Sequence, residues 1–439
     1  MWTYLPELTE RPVPRYTSYP TAAEFGPVDS YFHESGFDGL TPDAPVSLYV
    51  HIPFCDKICW YCGCNTGAAN RAHRLAAYLD ALHAEIEMVA ERLGNQRPVT
   101  QIAFGGGSPN ALDPIDFVRL LDHLLIAFDA FDARISIELD PRGLTPEWTA
   151  LLGRAGVSHA SLGVQTFDPE LQERIGRVQP AESITRAVEE LREAGVISLN
   201  FDLMYGLPGQ TYAALTDSLH RAIALAPDRI ALFGYAHLPK LIKRQRRIDD
   251  SGIPDGRARF DMAAIGFELL TGADYAPIGF DHFASPDDSL AEACRSGRMR
   301  RNFQGFTDDS SKALIGLGAS AISSFPDRFV QNQKNSGNYR MLADAGLLAC
   351  ERGVLRSAAD RARGRVIERL LCTGTADVSA IELSTPAAAQ LDRCARLGLI
   401  ERQDQSIAIT AEGLPYSRTI AGIFDAYRSV QEDRFSRAI

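Results

Sequence analysis

From about residue 46 to residue 236 the chain alternates between two hydrophobic patterns. Short apolar, β-branched or aromatic runs occupy residues 46–52, 101–104, 135–139, 160–164, 198–204 and 229–233. Such runs of four to seven residues, bounded by turn formers, predict buried strands. Between them lie stretches with helical spacing. Residues 73–93 place Leu75, Tyr78, Leu79, Leu82 and Ile86 on one face. Three later helices are predicted to begin at Asp113-Pro114, Thr145-Pro146 and Asp168-Pro169, each an N-cap oxygen followed by a proline at the first helical position. Six strands alternating with helices predict a parallel sheet with right-handed crossovers, hence a partial or complete α/β barrel. Residues 240–355 lose the alternation and read as helices mixed with polar loops. From about 360 a separate unit is predicted, with helices near 361–372 and 386–397 and a hairpin near 399–410, resembling a small winged-helix domain. The chain thus divides into an arm (1–45), an α/β core (46–240), an extension covering the substrate (241–358) and a helical C-terminal domain (359–439).

The unusual residues then share one location. The cysteine loop follows the first predicted strand and Gly105-Gly-Gly-Ser108 follows the second. Glu138 and Asp140 end the third, Gln165 the fourth and Asp202 the fifth, while Tyr235-Ala-His-Leu-Pro239 follows the sixth. In parallel barrels the chemistry sits at these carboxyl ends.

Composition narrows the function classes. Across 439 residues, 56 Asp and Glu exceed 45 Lys and Arg, a formal net charge of −11. That balance argues against a nucleic-acid partner. No apolar run is long enough to span a membrane and the N-terminus lacks a signal-peptide core, so a cytoplasmic location is expected. Of eight cysteines, Cys294, Cys350, Cys372 and Cys394 are scattered and read as buried small hydrophobes. The other four fall in Cys55-Asp-Lys-Ile-Cys59-Trp-Tyr-Cys62-Gly-Cys64.

Thiolates are the usual ligands of iron–sulfur clusters, which normally take four. The C-x3-C-x2-C spacing of Cys55, Cys59 and Cys62 supplies three and would leave one iron of a [4Fe–4S] cluster open to a substrate. A structural zinc site using Cys64 or His51 as fourth ligand is the alternative, although zinc favours paired CxxC units far apart. Cys64 as a cluster ligand would close the open iron.

With the glycine turn after the second strand, this motif resembles the radical S-adenosylmethionine superfamily. More narrowly, the chain is similar to the oxygen-independent coproporphyrinogen III oxidase family. The likeness runs through Arg-Tyr-Thr-Ser-Tyr-Pro-Thr (15–21), Tyr-Val-His-Ile-Pro-Phe-Cys (49–55) and Asn-Phe-Asp-Leu-Met-Tyr-Gly-Leu-Pro (200–208). It continues through Asp-His-Phe-Ala (281–284), Asn-Phe-Gln-Gly-Phe (302–306), Gln-Asn-Gln-Lys (331–334) and Phe-Ser-Arg (435–437). The resemblance implies reductive cleavage of S-adenosylmethionine to a 5′-deoxyadenosyl radical, abstraction of a propionate β-hydrogen and loss of carbon dioxide. Carried out twice, this converts coproporphyrinogen III to protoporphyrinogen IX in haem biosynthesis.

It also implies two S-adenosylmethionine molecules. The first would meet Tyr49, Gly106, Glu138 and Ile322, and the second Tyr61, Gly107, Ser108, Gln165, Arg177, Asp202 and Ala236. A flavodoxin- or ferredoxin-like electron donor, an unidentified acceptor and a monomeric state are expected with it. Tyr61 and Ser108 depart mildly from the family's usual Phe and Thr, and the stretch from Cys372 departs more. The alternative functions are a haem-binding chaperone of the same family, although such relatives generally lack the 15–21 and 302–306 segments present here, and a radical S-adenosylmethionine enzyme acting on another tetrapyrrole. The basic run 240–247 reads as a solvated helix face, or as an anchor for a tetracarboxylate alongside Arg15 and Lys334. His51 is either a hydrogen-bonding neighbour of the cluster loop or a satisfied core histidine.

Overall fold

The computed structural model of the chain describes residues 2–69, 72–94 and 97–428. One sheet organises it. Strands β1 (Val46–Ile52), β2 (Val99–Gly106), β3 (Arg134–Leu139), β4 (Val157–Gln165), β5 (Ser198–Tyr205) and β6 (Arg229–Gly234) pair in chain order and all run parallel. The six predicted strands are these.

Residues 240–355 are where the structure departs from the sequence-based expectation. They add strands β7 (Ala276–Ile278) and β8 (His282–Ala284) antiparallel beyond β6. On the opposite edge, β9 (Ala313–Leu317) lies parallel to β1 as a seventh parallel strand. Antiparallel β10 (Ile322–Ser324), β11 (Arg328–Asn332) and β12 (Cys350–Leu355) extend that edge. These strands are three to six residues long, too short to develop a period. The order ends in antiparallel strands on both sides, so the barrel is open rather than closed.

Helices α1 (Ala72–Leu93), α2 (Pro114–Ala127), α3 (Pro146–Arg154), α4 (Ala181–Glu193), α5 (Tyr212–Ala224) and α6 (Gly256–Gly272) pack on the sheet. Asp113 and Thr145 cap α2 and α3, and Asp168 caps the short helix Pro169–Arg174, as their Asp/Thr-Pro pairs predict. Helix α1 buries Tyr78, Leu79, Leu82 and Ile86, each fully buried large apolar side chain contributing about 1.5–3 kcal/mol.

The same helix also buries a carboxyl. Glu85 accepts hydrogen bonds from Gly318 N at 2.6 Å, Asn332 Nδ2 at 2.6 Å and Tyr339 Oη at 2.7 Å. Tyr78 Oη donates to His51 O at 2.7 Å and accepts from Ala319 N at 3.0 Å. These polar ties pin the β9–β10 turn to α1 and to the end of β1.

The C-terminal unit holds α7 (Ala358–Thr373), α8 (Thr385–Arg396) and a three-stranded sheet of Thr375–Asp377, Ser406–Ile409 and Ile400–Gln403. A capping box of Ser357 and Asp360 opens α7. The core of this unit is shared with the N-terminal arm, because Leu8, Val13, Tyr16 and Tyr19 pack with Leu370, Leu371, Tyr416 and Phe424. The Phe-Ser-Arg stretch at 435–437 lies outside the described residues. Among the described residues no helix is long and apolar enough to cross a membrane.

Candidate active site

A cavity of about 530 Å³ opens at the carboxyl ends of the parallel strands. Its lining includes Cys55, Cys59 and Cys62, together with Tyr61, Gly106, Gly107, Ser108, Glu138, Gln165, Arg177, Asp202 and Ala236. Of the predicted cofactor residues, only Tyr49 and Ile322 stand outside the lining. Both remain beside it. Tyr49 pairs with Gly316 across β1 and β9, and a Cβ on Gly316 would sit 2.7 Å from the Ile322 carbonyl oxygen.

The cysteine loop is stitched closed at its base. Phe54–Cys55 pairs in parallel with Gly67–Ala68, and Gly67 N and Ala69 N donate to Pro53 O at 2.8 Å and Cys55 O at 3.0 Å. The glycine turn is tied to the same segment, with Gly107 N donating to Ile52 O at 2.8 Å and Ser108 N to Phe54 O at 2.7 Å. A Cβ on Gly107 would meet Phe54 O at 2.4 Å. Only glycine fits there. Ser108 Oγ lies 3.7 Å from Cys55 Sγ. The Cys64 thiol, beside Cys62, pulls the Cys62 thiol down to about 6, with Arg244 and Arg177 adding to the effect.

Asp140 caps the short 3-10 turn Pro141–Gly143, accepting from Arg142 N at 3.1 Å, and sequence reasoning did not single out Arg142. The structure makes them a hub. Asp140 accepts from Arg142 Nη2 at 2.5 Å and from Arg177 Nη2 at 3.2 Å. The same guanidinium groups reach Cys59 Sγ, Arg142 Nη2 at 3.3 Å and Arg177 Nη1 at 3.2 Å. Burial pushes the Asp140 carboxyl up, but the two arginines pull harder and hold it below its ordinary value. Both guanidinium groups thus hold the Cys59 sulfur with N–H donors. Asn110 fixes the Asp140 backbone from both sides, donating to its O at 2.9 Å and accepting from its N at 3.0 Å. An acidic residue at the carboxyl end of a barrel strand was the legible signal for Asp140. Arg142 carries none.

Neither Glu138 nor Asp202 is a helix cap. Glu138 accepts from Gly106 N at 3.1 Å and faces the open cavity from deep among protein atoms. Desolvation pushes its carboxyl up to about 7. Near neutrality it is therefore available both to donate and to accept hydrogen bonds. Asp202 is raised by the same cause and is held by Asn200 Nδ2 at 2.9 Å and Ser161 Oγ at 3.2 Å. Gln165 ends β4 with φ of 67°, beside a register shift against β5. That left-handed backbone is uncommon for a residue with a side chain and recurs at functional sites.

His51 is satisfied on both ring nitrogens, Nδ1 with Tyr49 Oη at 3.1 Å and Nε2 with Ser320 Oγ at 3.2 Å. Burial pushes it down to about 4, so it is neutral. Its ring lies against Gly106, whose Cβ would meet it at 2.2 Å and whose φ is 99°.

The substrate-anchor candidates divide. Arg15 lines the cavity, with its guanidinium 5.3 Å from the Phe233 ring centre. Lys334 does not, and its carbonyl accepts from Asn65 Nδ2 at 2.8 Å. Nor do Lys240, Lys243, Arg246 and Arg247. Their run is a solvated helix face, of a short 3-10 helix, Lys243–Arg247, with Gln245 turned inward to bond backbone on two sides. Cys350, Cys372 and Cys394 are buried away from the cavity, and Cys294 is half-buried.

Known proteins resemble this chain. The Radical SAM superfamily matches residues 49–222. The oxygen-independent coproporphyrinogen III oxidase of Bradyrhizobium diazoefficiens is 41% identical, covering 98% of each chain. The chain belongs to the oxygen-independent coproporphyrinogen III oxidase family. The family's Salmonella typhimurium member is 39% identical over 97% of this chain and 96% of its own. The solved coproporphyrinogen III oxidase of Escherichia coli, a radical SAM enzyme, superposes with a TM-score of 0.88 at 38% identity, covering 94% of this chain and 97% of that one.

The residues present fit the iron–sulfur cluster that this family implies. Three thiols line one cavity, and two guanidinium groups donate to one of them. Gly106 and Gly107 line the cavity, and this glycine cradle has no room for a Cβ, which would strike Glu138 at Gly105, His51 at Gly106 or Phe54 O at Gly107.

Proposed function

We propose that this chain carries out the oxygen-independent oxidative decarboxylation of two propionate groups of coproporphyrinogen III, giving the vinyl groups of protoporphyrinogen IX. The observation that carries the reading is the convergence of the three-cysteine loop, the glycine cradle and Glu138, Gln165, Arg177 and Asp202 on one cavity, in a chain that matches the family end to end. Cys55, Cys59 and Cys62 would hold a [4Fe–4S] cluster. With S-adenosylmethionine bound, that group supplies one-electron chemistry able to remove a hydrogen atom from an unactivated carbon.

The protein's part is to position and to exclude. Tyr49, Gly106, Glu138 and Ile322 would meet one S-adenosylmethionine, where the Glu138 carboxyl suits a ribose diol. Tyr61, Gly107, Ser108, Gln165, Arg177, Asp202 and Ala236 border the place for a second. Arg15 is suited to receive one substrate carboxylate at the mouth. The arm that carries it is held to the C-terminal unit, an arrangement that would shut water from the cavity. Electrons would come from a flavodoxin- or ferredoxin-like protein in the cytoplasm, and the chain would act as a monomer.

The test is anaerobic reconstitution with iron and sulfide, followed by dithionite, S-adenosylmethionine and coproporphyrinogen III. The expected products are 5′-deoxyadenosine and a divinyl porphyrinogen. Absence of both with the cluster intact would overturn the proposal.

A further inference from the structure

Residues 240–247 turn two different faces: Ile242, Arg244 and Gln245 line the cavity, while Lys240, Lys243, Arg246 and Arg247 do not. Inward, Gln245 is buried and its Nε2 donates to Tyr61 O at 2.8 Å and Ala236 O at 3.0 Å. Arg244 donates to Thr66 Oγ1 at 3.0 Å and Thr66 O at 3.3 Å. Ile242 packs on Gly63, 3.1 Å from where a Cβ would stand. The turn therefore grips the cysteine loop on both sides of Cys62 and Cys64.

Outward, Lys240, Lys243, Arg246 and Arg247 are exposed. None lines the cavity, and among the described residues none forms an ion pair. The acids that follow are occupied elsewhere, Asp249 by Ser251 N at 3.0 Å and Asp250 near His237 Nε2 at 3.7 Å. Leu241 stands among the cations 59% exposed. An apolar centre ringed by unneutralised charge is the make-up of a transient interface. In a chain of net charge −11 it creates a local field of the opposite sign.

We propose that this turn is the docking surface for an acidic one-electron carrier protein. The inference rests on the function proposed above, which needs single electrons delivered to the site of Cys55, Cys59 and Cys62. The carrier loses one electron, the cluster held by those thiols gains it, and no bond is made or broken. Opposite charge brings the carrier to the turn, and the turn's hydrogen bonds to the cysteine loop fix it beside the acceptor. Steering of this kind acts on association and weakens with salt.

The experiment uses reconstituted protein, a bacterial flavodoxin as probe, and the triple variant Lys240→Glu, Lys243→Glu, Arg247→Glu, with Lys240→Arg, Lys243→Arg, Arg247→Lys as control. Calorimetric titration should show flavodoxin binding weakened about tenfold or more in the charge-reversed protein, retained in the control, and falling in the unaltered protein between about 0.05 and about 0.3 M salt. Turnover driven by flavodoxin should fall with it, while turnover driven by dithionite stays unchanged. Unaltered flavodoxin binding in the triple variant would overturn the proposal. So would a rise in KM for the porphyrinogen with dithionite as reductant, since the turn would then serve the anionic substrate. If unaltered protein gives no product with dithionite, the functional proposal fails instead, whatever the binding data show.

Discussion

Removing the Glu85 carboxyl tests whether the catalytic rim depends on a polar group buried on the far side of the sheet. Glu85 is fully buried, and three donors converge on it from the β9–β10 turn, β11 and the helix Ser336–Asp344. In Glu85→Ala, Gly318 N, Tyr339 Oη and one Asn332 Nδ2 hydrogen lose their acceptor, while the other Asn332 hydrogen keeps Gly318 O at 3.0 Å. Three stranded buried donors cost about 1–3 kcal/mol each, so a loss of at least about 3 kcal/mol is expected after relief of carboxyl burial. Glu85→Gln keeps the shape and isolates the charge. Burial raises the Glu85 carboxyl from 4.5 to about 7. The folded state therefore binds this proton more tightly than the unfolded chain does. The resulting stability is fully present below about pH 4.5 and is lost as pH rises through about 7. The wild type should thus lose about 2 kcal/mol relative to Glu85→Gln between about pH 5.5 and about pH 8, as measured by urea unfolding of the two proteins under identical conditions. A gap that stays flat with pH, or a Glu85→Ala protein as stable as wild type, would refute the reasoning. Because Ser320 of the same turn bonds His51, Glu85→Ala should also weaken S-adenosylmethionine binding several-fold while iron content per chain holds.

Three further outcomes are expected. Asp140→Asn leaves Arg142 and Arg177 without their shared carboxylate and should cost about 3 kcal/mol in denaturant unfolding, with less iron retained after reconstitution because both arginines also hold Cys59. Gly106→Ala forces a methyl against the His51 ring at a φ that L-residues avoid, so equilibrium dialysis should show S-adenosylmethionine binding lost while iron loading continues. Cys64→Ala should keep the iron content of wild type, whereas Cys59→Ala should lose it; equal losses would make Cys64 a ligand.

What the sequence displayed and what it concealed follow one physical rule. Strands β1 to β6 were readable because each is bounded by turn residues and followed by a helix long enough to show its period. The Asp-Pro and Thr-Pro pairs marked helix starts because capping is local chemistry, and Asp113, Thr145 and Asp168 all cap as expected. Strand β9 was hidden. Its five residues, Ala-Leu-Ile-Gly-Leu, are buried throughout, and only its pairing with β1, more than 260 positions away in the chain, makes it a strand. At 240–247 the solvated face was legible but its inward side was not, since Gln245 bonds backbone at Tyr61 and Ala236 that no local pattern announces.

The site divides along the same line. Cys55, Cys59 and Cys62 are close in sequence, so their spacing alone spoke. The groups that set their electrostatics come from elsewhere: Asp140 and Arg142 from the end of β3, and Arg177 from beyond β4. A thiolate ligand needs positive neighbours, and those neighbours need a counter-charge once buried. Arg142 and Arg177 meet the first need at Cys59, and Asp140 meets the second for both. That chain of requirements accounts for an acid at the strand end that touches no thiol. The partners are fixed by the barrel rim, which brings the ends of successive strands to one edge. The fold therefore does more than carry the cysteine loop: it supplies the arginines that hold the Cys59 sulfur and the carboxylate that balances their charge.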